Sequence, residues 1–400
     1  MPAHIDTLIQ EMPPELRFET PVYVTRPNLP TLEAYMACLA PAWERQWLTN
    51  DGRLHAALER QLAEYLGTPY LHLFCNGTIA LLTALQALEL EPGNVITTPF
   101  TFPATVNVLH WHRLRPVFCD IEPDTYNLDP ARLEALIGPD TRAILPVHVY
   151  GRPCKVEVIQ EIADRHGLPV IYDAAHAFGV RYKGSSLLGR GAMSMVSFHA
   201  TKLFTTAEGG ALIMNNKKMY ERVRLLKNFG IADEETVIAP GINGKMNELQ
   251  AALGLARINT VTDEIQQRRR VARQYHDCLA KTPGLTLPPM NVPNVESNFA
   301  YFPVRIDAPT FGMDRDALYT VLRGFNVFGR KYFHPLCSSY AWCRVEKGAL
   351  PDAEAAADTT LCLPIYGQLP LPWAAQICAI INEAGSIARQ AYTCRNNSHA

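Results

Sequence analysis

From about residue 53 to 230 the chain alternates short apolar runs with stretches of helical spacing, and that alternation constrains its fold more than any other feature. "LHAALERQLAEYLG" (54–67) repeats its apolar residues at helical spacing and stops on Gly67. "YLHLFC" (70–75) is a strand-like run, and the Ala/Leu-rich "TIALLTALQALEL" (78–90) follows as a helix. The pattern then recurs through "NVITTP", "RPVFCDI", "RAILPVHVYG" and "LPVIYDA". Strands that alternate with helices predict βαβ crossovers and a mostly parallel α/β sheet covered by helices on both faces. Near-continuous apolar strands such as "PVIY" agree, since such strands have no solvent face. Ligands on sheets of this kind gather at the carboxyl ends of the strands.

At 400 residues the chain exceeds one ordinary core, which predicts a large domain over 1–260 and a smaller one over 261–400. The second part begins with "NELQAALGLARINTVTDEIQQRRRVARQYHDCLA" (247–280), one long helix or two, followed by a Pro-rich link (282–295). "FAYFPVRID", a helix near 314–323 and "FNVFGRKYFHPL" then read as a small α+β domain, ahead of the polar tail "CRNNSHA". A formal net charge of −2 argues against nucleic acid or an acidic membrane as partner. The basic run "QQRRRVARQ" (266–274) reads as a solvated or interface face. No apolar run reaches membrane-spanning length and no secretory signal opens the sequence. Ten scattered cysteines without a CxxC pair speak against zinc and for reduced thiols in a cytoplasmic setting.

Chemistry concentrates at the predicted strand ends. Asp173 closes "VIYD", where it either caps a following helix or, if buried, needs a cationic partner such as a protonated heterocyclic nitrogen. Asn76-Gly77-Thr78 joins a strand to a helix, with Thr78 a candidate cap; the same turn suits a phosphate, because helix-start N–H groups attract anions. Ser197 is an ordinary strand-end serine or a further donor to that anion. Phe102 is either core or a stacking face for a flat ring, and His176 either structural or a partner to a ring substituent. His199, Cys75 and Cys119 read as core residues. Lys202, in "SFHATKLFTTAEGG" (197–210), is a lone lysine in partly buried surroundings, which favour the neutral and nucleophilic amine. Together these supply a phosphate cradle, a stacking face, a carboxylate for a pyridinium and a Schiff-base lysine, the set that pyridoxal 5′-phosphate requires.

"NGTIALLTAL", "TPFTFPATVNVL", "VFCDIEPDTYNLDP", "ILPVHVYGRPC", "VIYDAAHAFGV", "SFHATKLFTTAEGGALIMNN" and "GINGKMNELQAALGL" resemble the DegT/DnrJ/EryC1/StrS group of sugar aminotransferases, fold-type I pyridoxal-phosphate enzymes. The resemblance spans most of residues 70–256. It implies that Lys202 bonds the cofactor and shuttles protons, that Asp173 faces the pyridinium and that Phe102 stacks on the ring. Gly77, Thr78 and Ser197 would hold the phosphate and His176 would sit near the phenolic oxygen. It further implies a homodimer with shared sites, Asn243 reaching the partner's phosphate, and a nucleotide-linked ketosugar aminated at the expense of an amino acid, L-glutamate by family habit. "GRKYFHPL" (329–336) resembles the loop of family enzymes that aminate C4 of dTDP-4-keto-6-deoxyglucose, with Arg330, Lys331 and Tyr332 as substrate contacts. Amination of 3-keto sugars or cyclitol ketones, and cofactor binding by a non-catalytic regulator, are the competing readings. A related dehydratase branch carries His at the lysine position, and Lys202 speaks against it. One departure is Ala207, where many relatives have Gly.

Overall fold

The computed structural model describes residues 2–397; the last three residues of the polar tail lie outside them. The predicted runs become seven strands: β1 Leu71–Phe74, β2 Asn94–Thr97, β3 Arg115–Phe118, β4 Thr141–Leu145, β5 Ile171–Asp173, β6 Met193–Ser197 and β7 Gly210–Met214. Four pair in the order β1-β7-β6-β5 and three in the order β4-β2-β3. Parallel bridges Ile144–Val170 and Val147–Asp173 join β4 to β5, so the seven form one curved layer. Pairing is parallel throughout except at β7, which runs antiparallel to β1 and to β6. The fold is therefore α/β of fold-type I with a mostly parallel sheet.

Side chains that alternate along each strand divide into two cores, as the period of two requires. Leu71, Leu73, Ile96, Ile144, Tyr172, Val196, Ala211 and Ile213 face one helical layer. Phe74, Val95, Ala143, Leu145, Ile171, Met195 and Leu212 face the other. The helix Arg53–Leu66 buries Leu58, Leu62 and Leu66 against the first core and ends on Gly67 at φ 65°. That left-handed cap costs glycine little and other residues more. The strand ends matter most for function: Thr97, Asp173 and Ser197 terminate β2, β5 and β6. Because β7 is antiparallel, its first residue, Gly210, pairs with Phe74 and Ser197 and brings the "EGG" turn to the same edge.

Residues 247–280 form two helices, Glu248–Ile258 and Val261–Leu279. The break between them falls at Asn259-Thr260. The smaller unit is built on an antiparallel sheet of Leu285–Thr286, Phe302–Ile306 and Thr360–Leu363, covered by the helices Val261–Leu279, Arg315–Gly324 and Leu371–Asn397. Met12, Phe18 and Val22 are buried in this second core, and Val22–Tyr23 pairs in parallel with Val327–Phe328. The N-terminal segment thus packs with the small unit rather than with the large domain into which the boundaries 1–260 place it. The basic run is also less solvated than expected. Arg268 is fully buried, 2.6 Å from Glu264 and within reach of the Ala300 and Ile365 carbonyls. Among the described residues no helix is long and apolar enough to cross a membrane, and the nine cysteines from Cys38 to Cys378 are free.

Candidate active site

Lys202 lies on the loop that links β6 to β7. Aromatic packing anchors the loop: Phe204 stacks on Phe178 at 4.8 Å and meets Phe198 edge-on at 5.0 Å. Phe198 N–H donates to the Gly209 carbonyl and Thr206 N–H to the Phe198 carbonyl, closing the loop on itself. Truncating one such buried phenyl ring costs about 3–5 kcal/mol, which makes the lysine's position an expensive one to disturb. Lys202 is half-buried as a residue, and its amine is desolvated. Burial lowers the amine's pKa, against the smaller upward pull of Asp173 and Tyr332. A depressed pKa raises the neutral, nucleophilic fraction near neutrality.

Asp173 is 4% exposed at the end of β5. Its carboxylate accepts from Thr105 Oγ1 at 2.7 Å and from Ala175 N–H at 3.0 Å. No helix follows it, so the cap reading fails. Burial raises its pKa, although these two donors and the Lys202 charge pull the other way. A buried carboxylate with two neutral donors and no cation in contact is matched to a cation that arrives with a ligand. Thr105 in turn shares a hydrogen bond with Thr101 at 2.8 Å.

His176 is buried beside it, and its Nδ1 accepts from Tyr150 N–H at 3.1 Å. Burial, then the Lys202 charge, hold its pKa well below the ordinary value. The ring is therefore neutral with its proton on Nε2, a donor. Phe102 is 57% exposed, immediately before the helix Pro103–Trp111. That excludes the core reading and leaves its ring face open for stacking.

The Asn76 turn leaves helix-start N–H groups open to an anion. Asn76, not Thr78, caps the helix Gly77–Ala87, its Oδ1 accepting from Ile79 N–H at 2.8 Å. The N–H groups of Gly77 and Thr78 have no partner among the described residues, and such groups at a helix start attract anions. Close packing enforces the glycines here. A Cβ on Gly77 would lie 3.2 Å from Ser197 Cβ, and one on Gly210 would lie 2.7 Å from Gly77 N. Ser197 thus sits against the cradle. Phosphate, pyridinium, ring face and phenolic oxygen each find a matching group, and the set fits pyridoxal 5′-phosphate.

Other expected residues are placed differently. Asn243 is exposed and accepts from Lys245 Nζ at 2.8 Å; its neighbour Gly244 accepts from Cys75 N–H at 2.8 Å. Tyr332 lies near Lys202 and packs edge-on against Tyr301 at 5.9 Å. Arg330 is exposed and has no ion pair among the described residues. Lys331 instead pairs with Asp316 at 2.7 Å and lies over the Tyr319 ring, committed to the small unit. His199 is exposed rather than core, 3.6 Å from Glu208. The sequence reading missed Thr105, Tyr150 and Tyr301. The Tyr301 hydroxyl lies 3.3 Å from Lys202 Nζ. Thr105 lies two residues into a helix whose preceding Phe102 drew the attention, and Tyr301 lies just before the strand Phe302–Ile306 of the other unit.

The fold and the site together define a fold-type I pyridoxal-phosphate enzyme. The sequence profile described as the DegT/DnrJ/EryC1/StrS aminotransferase family matches residues 33–382, and the chain belongs to that family. It is 48% identical over 355 residues to dTDP-4-amino-4,6-dideoxy-D-glucose transaminase of Escherichia coli, covering 86% of this chain and 94% of the relative. It is 43% identical to the enzyme of the same name from Shigella dysenteriae, covering 88% and 95%. Among solved structures, that of DesI in the presence of its TDP-sugar product superposes with a TM-score of 0.89 at 34% identity, over 95% of this chain and 97% of that one.

Proposed function

We propose that this chain moves an amino group from L-glutamate to C4 of dTDP-4-keto-6-deoxyglucose. The observation that carries the reading is the 48% identity over nearly the whole length of an enzyme named for the corresponding product, with buried Asp173 at a strand end close enough to influence the amine of Lys202. Bound pyridoxal 5′-phosphate supplies an electron sink that stabilises negative charge on the carbon losing a proton. The protein's own groups do the rest. Asp173 would face the pyridinium nitrogen and keep it protonated, its raised pKa offset by that charge. Phe102 would cover the ring, and His176 would donate from Nε2 to the phenolic oxygen. Gly77 and Thr78 N–H groups and the Ser197 hydroxyl would hold the phosphate. Lys202 carries the proton between the two reacting carbons as general acid and base.

Arg330 and Tyr332 face the sugar diphosphate, where a fork of guanidinium donors suits phosphate oxygens; Lys331 steadies the loop through Asp316. The working form is a homodimer. Leu32, Met36 and Trp43 along the helix Leu32–Arg45, Trp47 just past its end, and Phe229, Val237 and Ile238 near the hairpin Ile231–Val237, are exposed. Exposed apolar side chains in such number mark a protein interface. Asn243 reaches the partner's phosphate from the segment that follows this hairpin. A cytoplasmic setting suits the free cysteines.

The test is direct. Purified protein with pyridoxal 5′-phosphate and L-glutamate is given dTDP-4-keto-6-deoxyglucose or its 3-keto isomer, and the product is identified by mass spectrometry and NMR. A 4-amino sugar from the first substrate, with far slower turnover of the second, supports the reading. Preference for the 3-keto isomer retains the aminotransferase and removes the C4 assignment; no product from either removes the substrate class.

A further inference from the structure

Lys202 must be held in place not only when bonded to the cofactor but whenever its amine is free. Among the described residues a single group forms a hydrogen bond to that amine, the Tyr301 hydroxyl at 3.3 Å. Tyr301 immediately precedes the strand Phe302–Ile306 of the small unit and packs against the cluster of Phe100, Tyr150 and Phe333, so the contact ties the lysine loop to a different part of the chain. Its hydroxyl has no other hydrogen-bond partner in the described structure. The ring cannot swing away, because Tyr150 lies at 5.4 Å, His176 at 4.7 Å and Tyr332 at 5.9 Å.

We infer that Tyr301 is the residue that holds and tunes the free amine of Lys202, accepting a hydrogen bond from its ammonium form and donating one to its neutral form. The chemistry fits that double role, since a phenol both donates and accepts. Burial, then Cys362, raise the Tyr301 pKa, so the hydroxyl keeps its proton throughout the working range. The other groups that bear on the amine are Asp173, His176 and Tyr332. Asp173 is engaged by Thr105 and Ala175, and neutral His176 by Tyr150 N–H. That leaves the phenol as the contact through which the amine is aimed. The bond it accepts from the ammonium is charge-assisted and stronger than the one it gives the neutral amine. Removing the hydroxyl therefore favours the neutral form.

This role rests on the aminotransferase reading of the same pocket, so the first test uses neither cofactor nor sugar. Cofactor-free protein is labelled with trinitrobenzenesulfonate across a pH series, and the Lys202 peptide is followed by mass spectrometry. In Tyr301→Phe the pH midpoint for labelling Lys202 falls by about one unit. Tyr150→Phe keeps the ring cage and removes a hydroxyl that does not touch the lysine, and it leaves the midpoint in place. In the loaded enzyme Tyr301→Phe lowers kcat about ten- to a hundredfold with KM for the sugar within about threefold. A purely structural role would lower the melting temperature and leave the midpoint where it was. An unmoved midpoint, or an unchanged kcat, overturns the inference. Failure of the C4 assay with the midpoint shifted counts against the substrate and not against Tyr301.

Discussion

Two lysines of this chain are withdrawn from water, and their surroundings could hardly differ more. Lys227, at the end of the helix Lys217–Leu226, is 2% exposed, with its amine 3.6 Å from Asp51 and 3.9 Å from Glu59. Lys202 has a neutral phenol as its hydrogen-bond partner, and the nearest carboxylate, Asp173, is taken up by two other donors. Both positions remove an ammonium from solvent, which is costly unless a counter-charge is close. At Lys227 that cost is offset by carboxylates, and the result is a structural tie between the helix end and residues 51–59. At Lys202 it is left partly uncompensated, and the amine is destabilised in its charged form. Burial alone does not mark a reactive lysine; burial without a dedicated carboxylate does.

The difference can be broken from either side. Lys202→Ala lowers turnover by about 10⁴-fold and leaves the melting temperature unchanged or raised, since an under-compensated charge is gone. Loss of stability in that variant would mean the lysine is a structural cation after all. Lys227→Met has the reverse profile. It destabilises the protein by about 2 kcal/mol, less than a fully buried pair would, because Asp51 is 54% exposed and water screens the charge left behind. Chemical denaturation and initial rates on the same sample check both halves, and kcat should stay within about threefold.

Acid sharpens the same contrast. Burial, then the Lys227 charge, push His55 down to about 4. Its folded pKa lies below the unfolded value of 6.5, so the unfolded chain binds the proton more readily and stability falls as pH drops from 6.5 towards 4. Glu59 acts lower down. Burial pushes its carboxyl up, but His72 beside it and the charge of Lys227 outweigh that and leave it at about 2. Its contribution is present above about pH 4.5 and is lost as pH falls towards 2. Unfolding free energy should therefore decline in two stages below pH 6.5, the first on the order of 1–3 kcal/mol, with the melting temperature falling in step. His55→Gln removes that first stage; a curve that stays flat in the wild-type protein would show that the cluster around Lys227 is not what carries acid sensitivity.

The smallest effect concerns the loop itself. Ala207 sits at φ 66°, a left-handed conformation that suits glycine. Relief of that strain exceeds the extra chain entropy of glycine, so Ala207→Gly stabilises by about 0.5 kcal/mol. Thermal melts resolve this, and a destabilised variant would contradict it.

Much of this could be read from the residues because local patterns encode it. Continuous apolar runs located the strands, and strand ends located Asp173, Ser197 and the Asn76 turn. Direction was not legible: nothing local in "GALIM" says that β7 runs against its neighbours, yet that reversal is what brings Gly210 to Gly77. Partners distant in sequence were equally hidden. Tyr301 is 99 residues from Lys202, and Thr105 is 68 from Asp173. The pairing of Val22 with Val327 moved the N-terminus to the small unit. Lys331 read as a substrate contact because its loop carried the pattern, and its pairing with Asp316 on the neighbouring helix was hidden from the sequence. Spacing shows which residues stand at a site's edge and is silent about which of them are already spoken for.

The most direct measurement is reductive trapping. The protein is incubated with pyridoxal 5′-phosphate, reduced with borohydride, digested and mapped by mass spectrometry. The account predicts a phosphopyridoxyl mass on the peptide bearing Lys202, near one per chain, and none on the peptide bearing Lys227. Labelling spread over surface lysines, or a Lys202 peptide that remains unmodified, would contradict it.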